Sequence, residues 1–313
     1  MELFTLTLAN GATLSGWTNL PAVTPTAPRY RPLMVGLHGG TYSSDYFNVD
    51  EKHTVALASN GLGIPWVAID HPGVKNSTSF YPLHEGSSDH ETYGEWLHKF
   101  ILPAVWERFG APQGCNSMVL LAHSLGVSGA VIAAAQHAKE ASGVKNEEQG
   151  NCPLAGIIIS GLGIHPVGEK PADRPANEIP EFIRFPDDVK DDMFLPKGTC
   201  DPAVYQHTNR LNLPVPFCEV QDVWDTWLPR VQTEWAPRVR VPVMIGMAER
   251  CIYWKGTEEH VREFAAAFSG SPRVDGSVIR GAPHNMEMSY WSQGWYARCF
   301  GFGMECAVSF SLA

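Results

Sequence analysis

The sequence predicts an α/β fold: a mostly parallel central sheet flanked by helices, with a helical cap inserted after the sixth strand. Three observations lead there. Short continuous apolar runs alternate with helical patterns along most of the chain. One stretch rich in prolines and aromatics interrupts that rhythm. A serine flanked by small residues joins one apolar run directly to a helical one.

The elements follow in order. Leu3 to Leu8 and Thr13 to Trp17 alternate in polarity around Asn10-Gly11, the signature of a hairpin. Pro32–Leu37, Ile64–Ile69, Met118–Ala122, Leu154–Ile159 and Val241–Ile245 are short apolar runs. Runs of this kind suit strands buried on both faces, as in a parallel sheet covered by helices. Between and after them lie helical patterns at His53–Ser59, Thr92–Phe109, Leu125–Ala141 and Glu258–Phe268. From His165 to Trp235 the alternation stops, while Phe182, Phe185, Met193, Phe194, Trp224 and Trp227 accumulate among prolines. A loop of that length without structure is uncommon in a compact domain, and so many large apolar side chains left in water are unfavourable. The expectation is therefore a core of residues 1–164 and 236–313 carrying a cap of short helices at 165–235.

Composition narrows the function classes. Across 313 residues, 44% are hydrophobic and 18% charged, the profile of an ordinary globular protein. A net charge of −10 argues against nucleic acid as a partner and mildly against strongly anionic substrates. No apolar run approaches the roughly 18 residues of a membrane span, and the N-terminus lacks a basic, apolar leader. Seven scattered cysteines without a Cys-x-x-Cys pair suit reduced thiols, so a cytosolic location is expected. No cluster has metal-ligand spacing, and neither a phosphate loop nor a dinucleotide fingerprint appears, so no metal or cofactor is expected.

The chemistry concentrates in three segments. In Ala122-His123-Ser124-Leu125-Gly126 a strand turns sharply into a helix with Ser124 at the apex. Small neighbours let the two backbones nearly touch, and the hydroxyl is lifted onto a helix N-terminus, where it can attack a carbonyl. Upstream, His38-Gly39-Gly40-Thr41 ends a strand in a turn whose amides are unshielded by side chains. The N–H groups of Gly40 or Thr41 and of Leu125 are the expected oxyanion hole, each donor contributing about 3 kcal/mol to a transition state. Downstream, Gly281-Ala282-Pro283-His284 is a loop after the last strand that can bring an imidazole over the serine as its base. Glu249 leaves a strand three residues after Gly246 and is the expected acid that orients His284; Asp201, Asp222 and Asp225 are the fallback candidates.

These segments, with Asp70-His71-Pro72-Gly73 between them, resemble the α/β-hydrolase fold superfamily over almost the whole chain. The resemblance implies Ser124, Glu249 and His284 as nucleophile, acid and base in the chain order of that architecture. Two departures stand out: Ala122 where glycine is commoner, and glutamate where aspartate is commoner. His38 and His123 are read as hydrogen-bonded neighbours of the machinery, Asp70 as a turn stabiliser and Cys251 as a small packed residue.

The expected activity is cofactor-free hydrolysis of a carboxylic ester, lactone or thioester through an acyl-enzyme on Ser124. The substrate is a bulky hydrophobic small molecule, of a kind met in secondary metabolism, bound against Trp224, Trp227, Phe194, Met193 and His123. An acyltransferase, a carbon–carbon bond hydrolase or lyase, and a slow-turnover small-molecule receptor are the alternatives on the same residues. The sequence leaves a homodimer open.

Overall fold

The fold is seen in a computed structural model that describes residues 1–24, 28–141, 152–170 and 178–312. Strands β1 (Glu2–Thr7) and β2 (Thr13–Asn19) form the expected hairpin, with Gly11 at φ +82° in its turn. Then come β3 (Pro32–Leu37), helix α1 (Ala56–Leu62), β4 (Trp66–Ile69), helix α2 (Asp89–Trp96), β5 (Ser117–His123), helix α3 (Gly126–Ala141) and β6 (Leu154–Ser160). The insertion carries a two-residue pair, β7 (Phe182–Ile183) with β8 (Val215–Pro216), and helices α4 (Asp187–Phe194) and α5 (Phe217–Asp222). Strand β9 (Val243–Arg250), helix α6 (Glu258–Ala267), β10 (Val274–Pro283) and helix α7 (Ser292–Leu312) complete the chain.

Among the described residues eight strands form one sheet in the order β1-β2-β4-β3-β5-β6-β9-β10, antiparallel through β1, β2 and β4 and parallel thereafter. Every residue of β3 to β6 is buried, as continuous apolar runs require of strands covered on both faces. Helix α7 packs on β3, β5 and β6 and against α1, while α3 packs on β5 and β6 and against α2. The register aligns Leu37 with both Ile69 and Ala122, and Ala122 with Ile159. The loops after β3, β4, β5 and β6 therefore leave from one edge of the sheet, where parallel α/β folds gather their ligands.

Several boundaries shift from expectation for local reasons. Helix α2 starts at Asp89 because the Ser88 hydroxyl caps it by accepting from the Glu91 N–H. The helix continues to Gly110 through wide π turns at Leu97–Ile101 and Trp106–Gly110. Pro103 follows the first of these turns, and a wider turn relieves the clash between a proline ring and the carbonyl four residues back. Strand β9 outlasts its predicted run because Gly246, Met247 and Ala248 stay buried. Among the described residues no helix is long and apolar enough to cross a membrane.

Candidate active site

Ser124 sits between β5 and α3 at φ +50°, a left-handed conformation that is costly for a residue with a Cβ. Its N–H donates to the Ser160 carbonyl at 2.8 Å, which anchors the turn to β6. Gly126 makes the turn feasible: a Cβ there would lie 2.5 Å from the His38 carbonyl oxygen. Ala122 is fully buried in β5 and fits where the motif commonly has glycine.

The Gly39-Gly40-Thr41 loop lies directly over this turn. A Cβ on Gly39 would come within 2.8 Å of the Ser124 Cβ, and one on Gly40 within 2.6 Å of Leu125 Cδ1. Thr41 is held at φ +64°. His38 braces the loop: its Nδ1–H donates to the Gly39 carbonyl at 2.8 Å and its Nε2 accepts from the His71 N–H at 3.1 Å. Burial pushes the His38 imidazole down to about 4, so it stays neutral in this role. Asp70 accepts from the Ser15 hydroxyl and from the Ser44 N–H and hydroxyl, a structural set of partners. The Thr41 Oγ1 is buried without a hydrogen-bond partner among the described residues.

His284 follows β10 and is 2% exposed. Its Nε2 lies 3.2 Å from Ser124 Oγ. Phe194 and Tyr253 pack on the ring at centroid distances of 5.4 and 5.2 Å. Burial, and then the neighbouring His123, hold His284 well below the usual imidazole range.

Here the expected acid is corrected. Glu249 does not face His284: its Oε1 accepts from Arg280 Nη1 and its Oε2 from the Gly281 N–H, each at 2.7 Å. That guanidinium, and then the Gly281 amide, hold the carboxyl below its usual range on an exposed edge of the sheet. The physical reason is register: β10 brings Arg280 and Gly281 alongside Glu249, since Ala248 pairs with Ile279 next to it. The group at His284 Nδ1 is instead Cys251, with Sγ 3.1 Å away. Its N–H turns back onto the Ala248 carbonyl, and this turn brings the thiol inward two residues beyond Glu249. Burial pushes the Cys251 thiol up to about 11, so it is protonated at neutral pH. The fallback aspartates are engaged elsewhere: Asp201 with the Ala203 N–H, Asp222 with the Asp89 and His90 N–H groups, and Asp225 with Lys170 and Gln221.

A second buried network lies behind the serine. His123 Nε2–H donates to Asn285 Oδ1 at 3.2 Å, its Nδ1 meets Ser160 Oγ at 3.0 Å, and Asn285 Nδ2 donates to the Tyr42 hydroxyl at 2.6 Å. Glu287 accepts from Ser160, Tyr46 and Trp295. Burial pushes the Glu287 carboxyl up and the His123 imidazole down to about 3. Glu287, Asn285 and Cys251 were not predicted as site residues. Proximity to His284 in the chain was the only available cue for the first two.

A cavity of about 300 Å³ opens above Ser124. Gly39, Gly40, Thr41, Leu125, His123 and His284 form its floor, and Phe185, Phe194, Val215, Val223 and Trp224 from the insertion form much of its wall. Tyr253 and Trp254 after β9 add aromatic wall that the sequence did not suggest, and Glu169 is the carboxylate among its described lining residues. Two expected lining residues are corrected. Trp227 is fully buried in the core, with its Nε1–H on the Gly163 carbonyl at 2.8 Å and its ring against Trp235. Met193 packs half-buried on the core beside the lining residue Phe194, because successive helical residues face about 100° apart. Among the described residues no cluster of His, Cys, Asp and Glu could hold a metal.

The sequence profile of the alpha/beta hydrolase family matches residues 34–295. A monoacylglycerol lipase of Paleococcus ferrophilus superposes with a TM-score of 0.58 at 14% identity, over 98% of this chain and 100% of that one. An N-acyl homoserine lactonase gives 0.61 at 13%, over 97% of each chain, and an esterase of Pyrococcus furiosus 0.52 at 15%, over 96% and 90%. Identities this low speak for a shared fold. No curated protein matches the chain.

Proposed function

Since the chain belongs to the alpha/beta hydrolase family, we propose that it hydrolyses a carboxylic ester, lactone or thioester of a bulky hydrophobic small molecule through an acyl-enzyme on Ser124. The observation that carries this reading is the 3.2 Å approach of His284 Nε2 to a serine hydroxyl at a left-handed strand-to-helix turn. His284 takes the Ser124 proton as Oγ attacks the acyl carbon. The amides of Gly40 or Thr41 and of Leu125 stabilise the developing oxyanion. His284 then protonates the leaving oxygen or sulfur and activates the water that releases the acid. The low imidazole pKa keeps the ring in its basic, neutral form.

In the same reading residues 165–235 act as a cap over a core of 1–164 and 236–313, and Phe185, Phe194 and Trp224 select an apolar acyl or alcohol group. With Glu169 on the cavity wall and no lysine or arginine among the described lining residues, the site favours an uncharged ligand over a coenzyme A ester. The test is covalent labelling with a fluorophosphonate beside turnover of p-nitrophenyl esters, aryl lactones and acyl thioesters. Labelling lost in Ser124→Ala supports the reading; labelling that persists there ends it.

A further inference from the structure

We propose that the Cys251 thiol stands in the triad's third place, as the positioning residue that orients His284. The inference rests on the Ser124–His284 reading and concerns what lies on the far side of the imidazole. For Nε2 to take the serine proton it must present a lone pair, so the neutral ring carries its proton on Nδ1. That proton points at Cys251 Sγ, 3.1 Å away, and the sulfur accepts it. The carboxylates nearest in sequence are committed to other partners: Glu249 to Arg280 and Gly281, and Glu287 to Tyr46, Ser160 and Trp295.

A thiol in this place has two consequences. It accepts the Nδ1 hydrogen bond weakly, and as a neutral group it offers no anion to the imidazolium that forms as Ser124 attacks. It can also donate. An S–H pointing at Nδ1 moves the ring proton to Nε2, the tautomer that cannot act as a base. A carboxylate accepts only and locks the productive tautomer. The wild-type chain is therefore a slow hydrolase whose base is held in place by packing and by a weak acceptor. A carboxylate at this one position makes it faster.

The experiment compares the full-length wild type with Cys251→Asp, Cys251→Ser, Cys251→Ala and Ser124→Ala. It reads kcat and KM on p-nitrophenyl butyrate and the rate of fluorophosphonate labelling, with thermal melting to confirm folding. Cys251→Asp is expected to raise both kcat and the labelling rate by at least about tenfold with KM nearly unchanged, the gain of a charged over a neutral acceptor. That gain shows that position 251 faces Nδ1; the thiol's own part is read from the truncation and its polar replacement. Cys251→Ala is expected to lower kcat about tenfold, and Cys251→Ser, which restores an acceptor, to retain more than Ala. The proposal is overturned if folded Cys251→Asp labels no faster than wild type, or if Cys251→Ala keeps the wild-type kcat. Should Cys251→Asp fail to fold, the order of Ser and Ala decides alone. Labelling that survives in Ser124→Ala removes the nucleophile, and the thiol's role with it; the Cys251 outcomes, read with Ser124→Ala inert, bear on the thiol alone.

Discussion

Lys190 Nζ donates to the Thr41 carbonyl at 2.8 Å, so helix α4 is bonded directly to the loop that lies over Ser124. The same amine donates to the Leu211 carbonyl at 2.8 Å and sits 3.6 Å from the centre of the Tyr42 ring. The side chain is 1% exposed, an unusual place for a lysine, and burial pushes its pKa down to about 7. Charged or neutral, the amine can donate both hydrogen bonds. Lys190→Met keeps the stem's volume and removes both donors, so the protein is expected to lose about 2 kcal/mol of stability. Urea denaturation measures it; an unchanged midpoint means the two bonds contribute nothing.

A second contact between insertion and core is acidic. Asp89 at the start of α2 accepts from the Tyr81 hydroxyl, and Asp222 at the end of α5 accepts from the Asp89 N–H. Burial first, and the neighbouring Asp222 carboxylate, push the Asp89 carboxyl up to about 7 against the hydrogen bond from Tyr81. The folded state therefore holds a proton that the unfolded chain has released between about pH 4 and pH 7. Stability consequently falls as pH rises through that window, by about 1 kcal/mol per unit from this group. Asp89→Asn keeps an acceptor for Tyr81 and removes the titration. The variant is expected to show a flatter pH dependence from 4 to 7 and greater stability than wild type at pH 8, read from denaturation midpoints across pH.

Burial and His123 hold the His284 imidazole well below its ordinary 6.5, which fixes the acid limb of the rate profile. Activity needs the neutral ring, so kcat/KM is expected to stay level as pH falls through 6.5 and to drop only below it. A half-maximal point at or above 6.5 counts against this environment for the base. In Cys251→Asp the new carboxylate favours the imidazolium, and the limb moves up.

Glu249 is where the sequence and the structure diverge most usefully. Counting three residues from Gly246 gave a carboxylate at a strand exit, but strand β9 runs to Arg250 and the inward turn comes only after it. The residue turned inward is Cys251. Nothing in composition or spacing marked it, because a thiol in this role differs from a packed cysteine only by what it touches. Ser124 and His284 were legible because backbone demands narrow their neighbours to small residues, and those are visible in sequence. Trp224 and Trp227 could not be told apart, since both are large and apolar within one irregular helical stretch. Glu249→Gln removes one exposed ion pair with Arg280, of a kind that solvent screens and that adds little to stability. It is expected to keep at least about half of the wild-type kcat, as it meets neither Ser124 nor His284, and steady-state kinetics decide this.

The two tryptophans separate cavity wall from core. Trp224 is half-buried and lines the cavity above Ser124. Trp227, one turn on, is fully buried, donates to the Gly163 carbonyl and packs on Trp235 and Phe264. Truncating a wall residue enlarges the space offered to the ligand with little loss of core contact, whereas truncating Trp227 leaves a void and an unpaired carbonyl. Trp227→Ala is expected to cost about 3–5 kcal/mol in stability. Trp224→Ala is expected to leave the melting temperature within a few degrees of wild type and to shift preference among p-nitrophenyl esters toward longer acyl chains by about tenfold or more, the discrimination an apolar pocket gives per methylene. A chain-length series with melting curves for both variants tests the pair. If the two phenotypes come out reversed, the cavity is not where the substrate lies.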